Sequence, residues 1–147
     1  MDIRRVAADE VGVLREGLAA LAQYHNAIPS IFSGVYPAIP VEETLEEIAR
    51  QLSEDRARAE VVYEEDRPVG FCKVSVSRTL GVIDYLFVHE ECRGKGYGEC
   101  LLERALTYLR ERGVDLIDLR VVIGNSAQAF YEKHGFQARS LIMSRKP

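Results

Sequence analysis

Between Val88 and a long amphipathic run the chain reads Arg93-Gly94-Lys95-Gly96-Tyr97-Gly98. Glycines carry no Cβ, so successive backbone N–H groups can close on an anion, and the start of a helix adds roughly half a positive charge at the same place. Arg93 and Lys95 bring whole charges to it. Such a turn binds phosphate, although glycines can also serve the turn alone. The spacing fits neither a P-loop, which needs Gly-Lys-Ser/Thr after four variable residues, nor the dinucleotide fingerprint, which needs a small residue where Glu99 stands and belongs in a first βα turn. A second segment, Asn125 to Phe136, carries a polar start, the aromatic residues Phe130 and Tyr131, and a glycine stop at Gly135.

The elements that must position these two segments follow from periodicity. Ile3 to Val6 can form a first strand, and Asp9 is an N-cap candidate for a helix carrying Val13, Leu14, Leu18 and Leu21 on one face and ending near Tyr24. From His25 to Pro40, prolines, serines and Gly34 interrupt Ile28, Ile31, Phe32, Val35 and Tyr36, so regular structure is not expected; a loop of this kind is often functional. A second helix is predicted over Val41 to Leu52, with Glu42, Glu43, Glu46 and Glu47 on its solvated face. Three β-rich runs follow, Glu60 to Glu64, Val69 to Ser77 and Val82 to Val88, joined by tight turns that make them antiparallel. Gly96 to Arg112 is the strongest helix, with Leu101, Leu102, Ala105, Leu106 and Leu109 in a stripe and Gly113 as its stop. Leu116 to Ile123 is a further strand, Asn125 or Ser126 can cap a short helix, and Phe136 and Leu141 to Met143 offer two short final strands. The order is β-α-α-β-β-β-α-β-α-β-β in a single domain over residues 1–147, an α/β fold with no linker or repeat.

With both segments in view, the chain resembles the GCN5-related N-acetyltransferase (GNAT) superfamily over about Val82 to Phe136. The resemblance implies a mixed, mostly antiparallel central sheet flanked by about four helices. It also implies acetyl-coenzyme A as cosubstrate. Arg93, Gly94, Lys95, Gly96, Tyr97 and Gly98 would hold its pyrophosphate. Main-chain groups of Leu86, Phe87 and Val88 would pair with the pantetheine arm as if it were an added strand. A backbone N–H near Val88 would polarise the thioester carbonyl. Asn125 matches a residue that touches the coenzyme near its pantetheine end; capping the following helix is its alternative role. Tyr131 matches the tyrosine that protonates the departing thiolate in many members, a transfer aided by phenol and thiol pKa values only about 1.5 units apart. Its other reading is a core aromatic.

The acceptor ammonium must lose a proton to gain a lone pair. Many members use a glutamate at the position held here by Val82, so the simplest assignment is missing. Asp84, on the same face of a regular strand, is the substitute base, with a structural hydrogen bond as its other reading. Tyr85 points the other way unless a bulge intervenes. Glu60, His25 and His89 are weaker candidates, and an acyl-cysteine route through Cys92 or Cys100 lacks a histidine placed by the sequence. The expected function is transfer of an acetyl group to a primary amine of a small molecule or peptide by direct attack. A non-catalytic acyl-coenzyme A sensor is the alternative. His25 to Tyr36 is expected to shape the acceptor side.

Composition removes other classes. A net charge of −4 with a pI near 5.5 argues against a nucleic-acid partner, which requires a basic face. No apolar run reaches the roughly 20 residues of a membrane helix, and the N-terminus has no secretory core. Three cysteines at spacings that match no zinc pattern predict reduced thiols, no metal and a cytoplasmic address. Pairing of two copies through a sheet edge or the terminal strands is compatible with this reading.

Overall fold

The computed structural model describes residues Met1 to Pro147. Five strands, β1 (Asp2–Arg5), β2 (Ala57–Glu64), β3 (Arg67–Ser77), β4 (Leu80–Val88) and β5 (Leu116–Leu119), form one sheet in chain order. All neighbours are antiparallel except β4 and β5, which are parallel. The β4-to-β5 connection is the crossover helix that a parallel pair requires. Four α-helices accompany the sheet: α1 (Arg15–Ala27), α2 (Val41–Ser53), α3 (Tyr97–Glu111) and α4 (Ala127–Lys133). No helix is long and apolar enough to cross a membrane.

The two faces of the sheet are covered by different helices. On one, Leu14, Leu18, Leu45 and Ile48 pack on Ala59, Val61, Phe71 and Phe87. On the other, Leu101, Leu102, Ala105, Tyr108 and Leu109 of α3, with Tyr131 of α4, pack on Val62, Cys72, Val74, Ile83 and Val88. Strands β2 to β4 are therefore apolar on both sides, as a sheet between two helical layers must be.

The register of β3 on β4 contains the feature that matters most for the site. Lys73 pairs with Tyr85 and the next residue, Val74, pairs with Ile83, so Asp84 is an extra residue in β4. A bulge of this kind suspends the alternation of side chains and bends the strand. Asp84 consequently bonds to Lys73 and Ser75 on the α1/α2 side, while Tyr85 also packs into the layer of α1 and α2. The bulge that would turn Tyr85 toward its neighbour's face is thus present.

The structure corrects four expectations. Residues before α1 form a 3₁₀ turn, Ala8–Leu14, in which the Glu10 carboxylate accepts the Ala7 N–H at 2.9 Å; Asp9 is not the cap. α1 runs past Tyr24 to Ala27. β5 stops at Leu119, which pairs with Ile83, the last residue of β4 before the bulge, and Ile123 is 81% exposed. Finally, neither Phe136 nor Leu141 to Met143 forms a strand. Strand propensity is realised only where a neighbour takes the backbone groups. Here Phe136 packs against Tyr131, whereas Met143 is 89% exposed.

Gly70 lies opposite Val88, and a Cβ added there would stand 2.8 Å from the Phe87 carbonyl oxygen and 3.1 Å from Val62 and Val88 side-chain atoms. Gly70→Ala is expected to lower stability by about 1–3 kcal/mol in denaturant unfolding, the usual cost of overpacking. An unchanged midpoint would show that β3 and β4 separate freely at this point.

Candidate active site

β4 ends at Val88, a 3₁₀ turn covers Glu90–Cys92, and the glycine segment then delivers the chain into α3. Gly94 and Gly96 have φ of +80° and +84°, left-handed values that side chains resist. Gly96 is the N-cap of α3 and provides no side-chain cap, so the N–H groups of the first turn keep their donor capacity. This geometry would suit an anion. Its cations are disposed differently from the simplest expectation. Lys95 reaches back to Glu64 of β2 at 2.9 Å, and the Tyr97 hydroxyl donates to the same carboxylate. Those two donors hold Glu64 below the usual carboxylate range. Arg93 turns the other way, its Nε donating to the Val88 carbonyl at 3.0 Å and its guanidinium lying 4.9 Å over the Tyr24 ring.

Beside the cradle the sheet is open. β5 pairs with β4 only from Leu80 to Ile83, which leaves the stretch containing Leu86, Phe87 and Val88 without a strand on that edge. The Val88 carbonyl held by Arg93 belongs to this free stretch. Its main-chain groups are available to an extended ligand in the way a sheet edge accepts an added strand.

Tyr131 is buried where α4 meets this layer, its ring 5.3 Å from Phe130 and 5.9 Å from Phe136. Burial pushes its phenol well above the ordinary value, with the Cys72 thiol adding to the effect, so the phenol holds its proton through neutral pH. The raised pKa widens the gap to a thiol, so the phenol is a weaker acid here than an exposed tyrosine. Asn125 also serves two readings: its Oδ1 accepts the Ala127 N–H at 2.9 Å, capping α4, while Nδ2 lies 3.5 Å from His25 Nε2.

The candidate bases separate clearly. Asp84 Oδ2 takes Lys73 Nζ at 2.8 Å and Ser75 Oγ at 2.7 Å; the carboxylate side chain is 25% exposed, whereas that of Lys73 is only 4% exposed. Gln51 of α2 closes the other side of the ammonium. Glu60 is buried toward α3 in a two-pronged pair with Arg104, at 2.6 and 2.9 Å, on the sheet face opposite Asp84. His89 stacks edge-on to Phe87 at 5.2 Å. Neither cysteine near the cradle meets a histidine side chain by hydrogen bond: Cys92 is buried with its sulfur near Arg67 and Glu64. Glu64 and Lys73 have no motif around them, and sequence reasoning missed both; only the sheet register brings them to the site.

The loop after α1 lies over the start of α4. Gly124, at φ +92°, has Ile28 so close that a Cβ would fall 2.7 Å from its Cγ2. Asn26 ties the loop down, accepting N–H groups from Gly34 at 2.8 Å and Tyr36 at 3.0 Å and donating to the Tyr36 carbonyl.

The model of the acetyltransferase (GNAT) family matches residues 21–136, and the chain belongs to that family. It is 30% identical over 84 residues to an uncharacterized N-acetyltransferase of Methanocaldococcus jannaschii, an alignment covering 52% of this chain and 37% of that protein. The chain thus spans little more than a third of this relative. Its fold matches a GCN5-related N-acetyltransferase from Ralstonia eutropha, with a TM-score of 0.76 at 16% identity over 99% of this chain and 97% of that one. It matches equally an N-acetyltransferase from Thermoplasma acidophilum in complex with coenzyme A, at a TM-score of 0.76 and 18% identity, covering 97% and 94% of the two chains.

Replacing Asp84 by Asn strips the buried Lys73 ammonium of its counter-charge. A loss of about 3 kcal/mol is expected in denaturant unfolding, the size seen when one member of a buried pair is removed. A near-zero change would show that Gln51 alone satisfies the lysine.

Proposed function

We propose that the chain transfers an acetyl group from acetyl-coenzyme A to a primary amine by direct attack. One observation carries the reading: an unpaired stretch of β4, ending at Val88, leads through two left-handed glycines into an uncapped helix N-terminus. An extended arm ending in a pyrophosphate has this shape, with amide groups to satisfy along the arm and anionic oxygens at its end. Family membership supports the same donor.

In this reading the main chain of Leu86, Phe87 and Val88 pairs with the pantetheine amides. The Arg93 side chain leaves the Val88 carbonyl to make room for them. Gly94 to Gly98 present their N–H groups to the pyrophosphate, with Arg93 and Lys95 adding charge from either side. Asn125 stands near the pantetheine end. A backbone N–H near Val88 stabilises the oxyanion as the amine adds to the carbonyl. Tyr131 then gives its proton to the departing thiolate. Burial raises the pKa of that phenol, so it is protonated when the thiolate forms but is a weaker acid than a free tyrosine. Asp84 places a carboxylate on the acceptor side, where it attracts an ammonium; its bonds to Lys73 and Ser75 leave Oδ1 for that purpose. The acceptor is a primary amine of a small molecule or a peptide.

Tyr131→Phe is expected to lower kcat by about ten- to a hundredfold with the KM for acetyl-coenzyme A unchanged, a typical size for one proton transfer. An unchanged kcat removes Tyr131 from the mechanism. Gly96→Val is expected to weaken coenzyme A binding about tenfold or more in calorimetry, in line with ~1–2 kcal/mol of left-handed strain. Undiminished affinity would place the pyrophosphate elsewhere. A wild-type protein that binds acetyl-coenzyme A yet releases no thiol with any amine is a sensor.

A further inference from the structure

His25 sits in the last turn of α1, partly buried, with its ring 6.0 Å from that of Tyr24 and 5.3 Å from that of Tyr36. Its neighbour Tyr24 covers Arg93, which is bonded to the open edge of β4, while His25 itself reaches Asn125 beyond the end of β5. The end of α1 therefore bridges the gap where β4 and β5 part. That gap is where the proposed donor would place its thioester.

The Asn125 amide bears on the state of the imidazole. Asn125 Oδ1 is committed to the Ala127 N–H, so the atom facing His25 is the amide nitrogen, a donor. A lone pair on His25 Nε2, with the ring proton on Nδ1, suits that contact, which at 3.5 Å is long. A protonated Nε2 would put two donors face to face. The groups around the ring are the phenol of Tyr24 on α1, the phenol of Tyr36 on the loop and the neutral Asn125 amide at the start of α4. Burial alone lowers the pKa of the ring below the ordinary histidine value.

We infer that His25 Nε2 is the group that takes the proton from the acceptor ammonium. The inference rests on the acetyltransferase reading above and assigns its missing base. Asp84 already holds the Lys73 ammonium and the Ser75 hydroxyl on Oδ2. By contrast, the contact of His25 with Asn125 is long at 3.5 Å, so an incoming N–H replaces it at little cost.

The step balances as follows. Nε2 removes one proton from R–NH₃⁺, leaving R–NH₂ with a lone pair. The nitrogen attacks the thioester carbon, the C–N bond forms and the C–S bond breaks. Tyr131 protonates the thiolate and recovers a proton from the amide nitrogen through water. The imidazolium returns its proton to solvent.

The test is a pH profile. Thiol release from acetyl-coenzyme A is followed with an alkylamine, an amino-acid ester and a dipeptide bearing a free N-terminus, using the fastest as acceptor. In the wild type, kcat/KM should fall as pH drops through the His25 titration, below the ordinary histidine range. His25→Gln should lose that limb and be slowed about a hundredfold or more at neutral pH, with coenzyme A affinity and melting temperature unchanged. Added imidazole should restore part of its rate. A His25→Gln protein with the wild-type rate and profile overturns the assignment while leaving the transferase reading intact. Loss of rate without change in the shape of the profile, and without imidazole rescue, also overturns it, since that is the behaviour of a structural residue. A wild-type protein that turns over none of the three amines overturns the transferase reading and this base with it.

Discussion

One extra residue in β4 decides where this sheet is closed and where it is open. Up to Ile83, β4 is paired on both edges, with β3 on one side and β5 on the other. At Asp84 the register against β3 slips, the strand bends, and the ladder to β5 ends. The free main chain leading to Val88, the turn with Gly94 and Gly96, and the first turn of α3, where the donor is proposed to bind, all lie beyond that point. The same slip sets Asp84 and Tyr85 on the face of α1 and α2, from which an acceptor would approach.

The bulge is held by a polar knot that has little freedom to rearrange. A lysine as buried as Lys73 is stable only if its charge is matched and its donors are filled. Asp84 supplies the charge, and Gln51 of α2 and Ser75 of β3 complete the set of partners. The knot therefore couples the docking of α2 to the shape of β4. Glu64 plays the equivalent part at the other end of the site, gathering Lys95 and Tyr97 so that the cradle is fastened to β2. Both clusters join elements far apart in the chain, so each fixes geometry that no local propensity could.

That distinction also explains what could be read from the amino-acid sequence. The leucine stripe of α3, the three antiparallel strands and the glycine turn leading into α3 are local properties, and they emerged in place. The final strands did not form, because Leu141 to Met143 carry strand propensity without a neighbouring ladder to realise it. β5 is shorter than its apolar run for the same kind of reason: Arg120 to Ile123 have lost the facing strand. Lys73, Glu64 and the true surroundings of Glu60 were invisible, since their roles depend on which residue of another strand stands opposite. His25 was read as a minor candidate because a lone histidine before a loop has no motif around it. Its position against Asn125, a hundred residues later in the chain, is what gives it a chemical reading.

The most direct test of this account is to follow backbone amide resonances while coenzyme A is titrated into the protein. Binding along the open edge predicts the largest shifts at Leu86 to Val88 and at Gly94 to Glu99, with Leu80 to Ile83, already paired on both sides, nearly still. Shifts that spare Leu86 to Val88 while the coenzyme is bound would contradict it.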